Sequence, residues 1–399
     1  MANTSGSVQA SAERPGRVGA QVHITPGMKL EWPGGSVDLS FFIGSRRMGR
    51  SFAYEAPHGA GLFQAPVGFY ANRGAWDWAP GYERDAKPDL NRPITADCLF
   101  CHTNLAALQP NSVNRYRAVM FGIQCDRCHG PADDHGKLVN PAKLAPRLRD
   151  SVCDQCHLSG TVRLVRAGRQ LADFRAGQDL GDSLEVLVGE QQQQGGVKVN
   201  GHSEALAMSR CKQRSGGKLW CGTCHSPHRA ATAASYAETC RGCHASAHRQ
   251  TEDCVACHMP KGKAYDGGHT VFTNHSLTLK PRSSPLASYF GREPSARDLG
   301  LAYVQLGRDR RDSAYFEKAW PLLREAAAGR GRDPVLYATI GSLLQADGRK
   351  EQAVGYYRLS LAQDPLQPDV LNKLAGLVGA AEGRVLRERA ISILPQPFP

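Results

Sequence analysis

One five-residue pattern, Cys-x-x-Cys-His, occurs six times in this chain and takes up all but one of its 13 cysteines. Two thiols three positions apart on a helical turn can bond to the two vinyl groups of one porphyrin. The histidine that follows them then reaches the iron as its proximal ligand. The paired cysteines are Cys98 and Cys101, Cys125 and Cys128, Cys153 and Cys156, Cys221 and Cys224, Cys240 and Cys243, and Cys254 and Cys257.

The adjacent histidine distinguishes this pattern from the other common uses of paired cysteines. Zinc sites also use Cys-x-x-Cys, but they need no histidine directly after each pair. A thioredoxin-like redox pair occurs once, beside a βαβ pattern. The sequence therefore predicts six covalently attached haem c groups. Their proximal ligands are His102, His129, His157, His225, His244 and His258.

The density of motifs limits how the middle of the chain can fold. All six lie within residues 98–258, which leaves little polypeptide for a core of its own. We therefore expect the porphyrins to form that core, with short helices, long loops and almost no sheet between the motifs. Without haem this region is not expected to fold, as small metal domains do not fold without metal.

The charge of the chain has a simple explanation once haem is considered. The formal net charge is +12, but six haems bring about twelve propionate carboxylates. Arginine and lysine then serve mainly as propionate partners. No basic run interleaved with aromatic residues is present, so nucleic acid is not an expected partner.

Localisation is predicted from the chemistry of attachment. Haem of this type is attached covalently outside the cytoplasmic membrane, so the protein is expected to be exported to a periplasmic or extracellular space. Residues 1–21 contain no apolar signal-peptide core, and the chain shows no transmembrane segment. We therefore expect the export signal to have been cleaved or trimmed from this sequence.

Composition divides the chain into five parts. Residues 1–20 are rich in Gly, Ser and Ala and are predicted to be disordered. Residues 21–95 show short apolar runs separated by Pro and Gly, which indicates a β-rich segment. Residues 96–275 form the predicted hexahaem domain, and residues 276–293 a Pro/Ser linker. Within the haem domain, the long interval between the third and fourth motifs suggests two groups of three haems.

Residues 294–399 are predicted to form helical repeats. Ile340, Gly341, Leu344, Tyr357 and neighbouring residues match positions of the 34-residue tetratricopeptide repeat, and two prolines lie one such period apart. The alternative is a generic helical bundle. The predicted fold is thus mixed, mostly α and irregular, with a small N-terminal β segment, a haem-packed domain with little regular structure, and TPR-like repeats. We expect deletion of the repeats to leave the haem spectrum intact.

Histidines outside the motifs are candidates for the distal ligands of the irons. Histidine on both sides makes an iron six-coordinate, and methionine raises its potential relative to histidine. Met48 is a further candidate ligand, with burial at a strand end as the alternative. The distal histidine candidates are His135, His202, His228, His248, His269 and His275.

Cys211 remains after the motifs are assigned. With every other thiol committed to haem, it cannot form an internal disulfide. A buried free thiol is the favoured interpretation, with a thiolate ligand or a reactive thiol as alternatives.

Several stretches resemble multihaem c-type cytochromes of the doubled-CxxCH kind that end in tetratricopeptide repeats. They are TADCLFCH at 95–102, IQCDRCHG at 123–130, SVCDQCH at 151–157, the segments at 209–211 and 215–218, and 221–228. The likeness extends from about residue 35 to the C-terminus. It implies export and electron transfer, and it implies a histidine in relatives at the position of Met48.

The sequence therefore predicts an exported electron-transfer protein rather than an enzyme. Expected partners are a redox protein or a membrane electron-transfer complex, with self-association as a further option. Two alternatives remain: an oxidoreductase acting on a small nitrogen or sulfur compound at one open haem, and a structural subunit of a haem filament or larger redox complex.

Overall fold

The structure is a computed structural model of the 399-residue chain. It describes residues 5–8, 13–19, 21–45, 48–82, 90–132, 134–189, 196–229, 231–244, 253–277, 284–329 and 331–398.

The N-terminal part of the described chain is an antiparallel sheet of eight strands. Strands β2 to β8 follow one another across the sheet in chain order, and β1 pairs with β5. The strands are β1 Ser5–Ser7, β2 Gly16–Val18, β3 Val22–Ile24, β4 Lys29–Trp32, β5 Gly35–Ser45, β6 Gly49–Ala56, β7 Gly61–Tyr70 and β8 Ala75–Trp78. The first two strands lie within the segment whose composition predicts disorder.

The sheet curls so that β8 returns to β2. The indole Nε1 of Trp76 donates to the carbonyl oxygen of Arg14 at 2.8 Å. Gly16 makes this approach possible, because a Cβ there would lie 2.3 Å from the Trp76 ring. Large apolar side chains such as Phe42 and Phe52 fill the interior, so this region has a complete core of its own.

The predicted fold class is wrong on this point. The β region is a large curled sheet, not a small segment of a mostly α chain. Its central strands are long, up to the 11 residues of β5, and both their faces are covered. The outer face carries a second apolar cluster with Phe41 and Leu62. Leu99 and Phe121 pack against this cluster from residues 96–275, which we call the haem region. Two covered faces produce adjacent apolar residues, which hide the simple alternation expected of a half-buried strand.

The middle of the chain contains short helices and small sheets. The helices are α1 Ala96–His102, α2 Asp126–His129, α3 Pro146–His157, α4 His202–Met208, α5 Arg210–Arg214, α6 Cys221–Cys224, α7 Ala233–Arg241 and α8 Cys254–His258. The strands are β9 Thr103–Leu108, β10 Tyr116–Phe121, β11 Val162–Val165, β12 Leu184–Val188, β13 Lys261–Lys263, β14 Val271–Thr273 and β15 Ala287–Ser288.

Two expectations for this region need correction. Sheet is present between the motifs, since β9 pairs with β10 and β11 pairs with β12. The first half of the haem region, up to strand β12, also has a protein core of its own, in which Phe100, Leu158 and Leu184 are buried. Strand β15, within the predicted linker, pairs with β12, so the chain after the haem region returns to this core.

The C-terminal part contains six helices in the described residues. They pack as three successive pairs: α9 Ala296–Arg310 with α10 Ala314–Ala328, α11 Pro334–Ala346 with α12 Lys350–Gln363, and α13 Pro368–Ala375 with α14 Ala380–Ile393. Pro334 and Pro368 occupy first-turn positions of α11 and α13, where the missing N–H has no cost. At Gly341 a Cβ would lie 2.7 Å from the Tyr357 ring, so the absence of a side chain lets α11 and α12 approach closely.

The helical part contacts the rest of the molecule through its first helix. Ala302 and Leu306 of α9 share a buried cluster with Val162 and Leu187 of β11 and β12. The carboxylate of the buried Asp298 lies 3.5 Å from the Arg166 guanidinium, across the same boundary. The helices therefore rest on the first half of the haem region. None of the helices in the described residues has the length and apolar character needed to span a membrane.

The C-terminus also joins the helical part to the N-terminal sheet. The ring centre of Phe398 lies 5.3 Å from Trp32 and 6.1 Å from Tyr54, and Leu394 packs on the same cluster. A guanidinium nitrogen of Arg115 donates to the carbonyl of Ser392 at 2.9 Å. Residues 392–398 therefore connect the last helix to the N-terminal sheet.

We expect Phe398→Ala to lower the free energy of unfolding by about 1–3 kcal/mol, because it removes a half-buried ring and two aromatic contacts. Chemical denaturation of the holoprotein measures this change. Val385→Ala, at a side chain that is 63% exposed, is the control and should change stability by less than about 0.5 kcal/mol. Equal effects of the two substitutions would show that the tail does not anchor the chain end.

Candidate haem-binding site

Each of the six motifs forms a turn of helix. The backbone N–H of the motif histidine donates to the carbonyl of the first cysteine at 2.9 Å for His129, 2.8 Å for His225 and 2.9 Å for His244. This i to i+4 bond holds the two thiols and the imidazole on one side of the turn. The arrangement is the one that attachment of a porphyrin requires.

Thiols of different motifs come together in three places. Pairs of thiols from different motifs lie side by side: Cys101 with Cys156, Cys153 with Cys221, and Cys240 with Cys254. The first motif therefore lies beside the third, the third beside the fourth, and the fifth beside the sixth. The third and fourth motifs are thus neighbours despite the long interval between them, and the suggested division into two groups of three haems stays a prediction.

Four imidazoles gather around the third and fourth motifs. The ring centres of His157 and His202 are 5.8 Å apart, and those of His225 and His275 are 6.1 Å apart. His202 and His275 are closer, at 4.6 Å. Each pair at about 6 Å combines a motif histidine with a predicted distal histidine.

A third pair lies at the second motif. The rings of His129 and His228 are 5.9 Å apart and nearly parallel, with 18° between their planes. The sequence predicts His228 as a ligand for a motif other than its own, and the structure places it beside the histidine of the second motif.

The spacing of these pairs suits an iron between the two rings. Two imidazoles that bind one metal from opposite sides have ring centres roughly 6 Å apart, since each metal–nitrogen bond is about 2 Å. The observed separations of 5.8, 5.9 and 6.1 Å agree with this value.

Hydrogen bonds orient two of these imidazoles through Nδ1. The Nδ1 atom of His129 lies 2.7 Å from the carbonyl oxygen of Val139, and that of His275 lies 2.9 Å from the carbonyl of Thr273. Such bonds fix the tautomer and leave Nε2 for a metal. Sequence reasoning missed Val139 and Thr273, and no signal marks them, because any residue can supply a backbone carbonyl.

The environment of His202 keeps its imidazole neutral. Burial, together with the nearby His275, His157 and His225, lowers its pKa to about 3. Burial also lowers the pKa of His275. A neutral imidazole has the nitrogen lone pair that metal binding needs.

A cavity of about 600 Å³ lies beside these histidines. Its walls include His202, Met208, Tyr265, His275 and Tyr289. The lining also includes the charged side chains of Arg147, Lys198 and Glu204, so the cavity offers aromatic surface for a porphyrin ring and basic groups for propionates. The thiols, the paired imidazoles and this cavity together fit haem c.

The remaining predicted ligands lie elsewhere. The Nε2 atom of His269 lies 2.9 Å from a carboxylate oxygen of Asp77, and its ring packs edge-on against Tyr70. The His269 nitrogen that would bind an iron therefore contacts the Asp77 carboxylate instead. Met48 lies in the turn between β5 and β6, and His135 lies in an exposed turn after α2. His248 lies outside the described residues.

Cys211 is exposed on α5, so the expectation of a buried thiol is wrong. Its helix is only five residues long and carries three basic residues. A short polar helix of this kind has no apolar side to turn inward.

Six helical-turn motifs with imidazoles paired at metal-binding separation are the features of a c-type haem protein. A family model described as cytochrome c554 and c-prime matches residues 79–130, which include the first two motifs. The chain is 25% identical over 185 residues, 38% of its length, to the protein named Multiheme cytochrome MtrA from Shewanella baltica (strain OS185). It spans 54% of that relative's length. These findings support a multihaem c-type cytochrome with covalently bound haem c and an electron-transfer role.

Proposed function

We propose that this protein is an exported hexahaem c-type cytochrome that conducts electrons along a chain of closely spaced haems. The observation that carries the proposal is the close approach of different motifs. The Cys101 thiol lies 3.8 Å from the carbonyl oxygen of Gln155 in the third motif. The imidazoles of the third and fourth motifs meet through His202 and His275, whose ring centres are 4.6 Å apart. Haem supplies the electron-transfer chemistry when it is bound. The polypeptide sets the spacing, burial and axial ligands that decide each potential.

The residues divide into three roles. The twelve motif cysteines attach the porphyrins, and the six motif histidines are proximal ligands. Distal ligands come from the set His135, His202, His228, His248, His275 and Met48; His269 is left out of this set because its Nε2 contacts Asp77. The ring distances favour His202, His228 and His275.

The C-terminal helices are proposed to be tetratricopeptide-like repeats that dock a partner. Three successive helix pairs, with Pro334 and Pro368 beginning corresponding helices, support this interpretation. The expected partner is a redox protein or a membrane electron-transfer complex, and self-association is the other use of such a surface. The proposed location is periplasmic or extracellular, since covalent haem attachment is completed outside the cytoplasmic membrane.

Mass spectrometry of the intact holoprotein tests the proposal. We expect six covalent haem additions per chain, because all six motifs present their thiols and histidine on one helical turn. Low-temperature EPR of the oxidised protein should then show only low-spin iron, and the reduced protein should bind no carbon monoxide. Fewer than six additions would contradict the hexahaem assignment, and one carbon monoxide bound per chain would contradict the role of simple conductor.

A further inference from the structure

We infer that His202 is the distal ligand at the third motif, that His275 is the distal ligand at the fourth, and that the contact of these two imidazoles joins the two haem sites into one unit. This inference rests on the proposed function and deepens it by naming the ligand pairs. It connects two motifs separated by 68 positions in the sequence.

The ring distances decide the pairing. His202 lies 5.8 Å from His157, the proximal histidine of the third motif, and His275 lies 6.1 Å from His225, that of the fourth. Both values agree with the roughly 6 Å that an iron between two imidazoles requires. The 4.6 Å between His202 and His275 is too short for that arrangement. These two rings therefore serve different irons and pack against each other.

The local structure supports both assignments. His202 is the first residue of α4, and its ring also packs against Phe272 at 5.8 Å. His275 follows β14 and is oriented through Nδ1 by the carbonyl of Thr273. The two histidines approach the same cavity from different segments of the chain.

The attachment points of the two haems are adjacent as well. The attachment cysteines Cys153 and Cys221 of the two sites lie side by side. Both the attachment side and the distal side of the third and fourth sites are therefore in contact. A charge change at one iron will act strongly on the other, because neighbouring charges in a partly buried site are poorly screened.

Substitution by methionine tests the pairing in the intact holoprotein. His202→Met and His275→Met should each convert one of six haems to histidine–methionine ligation, seen by EPR and by the sulfur–iron absorption band. Each should also raise the midpoint potential of that haem, and the double variant should convert two haems. His269→Met is the matched control and should convert no haem, because the native His269 side chain contacts Asp77.

Removal of the fourth haem then separates the two assignments. In a Cys221→Ala/Cys224→Ala background with five haems, His202→Met should still convert one haem, whereas His275→Met should convert none. The reverse result would overturn the pairing, as would unchanged spectra in both single variants.

Haem content separates failure of this inference from failure of the proposed function. The pyridine haemochrome assay should give six haems per chain in each single methionine variant. A count other than six in the unsubstituted protein contradicts the proposed function, whereas six haems with unchanged ligation contradict only the pairing. If a methionine variant does not fold, His202→Gly with added imidazole replaces it. Low-spin iron restored by imidazole supports the assignment, and iron that is low-spin without imidazole overturns it.

Discussion

Leu187→Ala is expected to lower the free energy of unfolding by about 2–5 kcal/mol. The Leu187 side chain is fully buried, at 0% exposure, between strand β12 and helix α9. It packs with Val162, Ala302 and Leu306 at the boundary between the haem region and the C-terminal helices. Alanine would leave a cavity at this boundary, lined by side chains of the haem region and of the C-terminal helices. Urea denaturation of the holoprotein, followed by circular dichroism and haem absorbance, measures the loss.

The same experiment tests whether the C-terminal helices are an independent unit. If they share the core as described, both signals should shift together in Leu187→Ala, since the substitution weakens both parts. Leu359→Ala is the matched control, because Leu359 lies in α12 with 50% of its side chain exposed and should cost less than about 0.5 kcal/mol. A shift of the haem signal alone would show that residues 294–399 unfold separately. It would also support the expectation that their deletion leaves the haem spectrum intact.

The sequence predicts the haem chemistry well because that chemistry is local. A thiol, a second thiol three positions later and an adjacent histidine meet on one helical turn, so spacing alone contains the information. The order of strands in the N-terminal sheet is similarly accessible, since turns such as Pro33-Gly34 lie between consecutive apolar runs and antiparallel neighbours follow each other in the chain.

What the sequence does not reveal depends on contacts between distant segments. The neighbourhood of Cys153 and Cys221 depends on how the residues between them fold, and no motif marks the pairing of His202 with His157. The size of the sheet is also not evident from the sequence, because both faces of its central strands are covered and their apolar residues do not alternate with polar ones. On the outer face, Leu99 and Phe121 from the chain after the sheet complete this cover.

The two halves of the haem region differ in how much core the polypeptide supplies. Between residues 98 and 187 the buried apolar side chains include Leu158, Phe174 and Leu180. In the described residues from 196 to 277 they are only Ala237 and Ala264. Two alanines contribute too little apolar area to offset the entropy of ordering some 70 residues. We therefore expect the later motifs to depend on haem for their fold, and the earlier half to depend on it less.

Preparation of the chain without haem should consequently unfold one part of the molecule and leave the rest. We expect residues 196–277 to lose protection from amide hydrogen exchange by a factor of about 10² or more, whereas the central strands β5, β6 and β7 remain protected by their own core. The strands are the internal control, because they lie in the same sample and contain no haem attachment site. Equal protection of residues 196–277 with and without haem would contradict a haem-dependent core. Loss of protection in the strands as well would show that haem stabilises the whole chain as one cooperative unit.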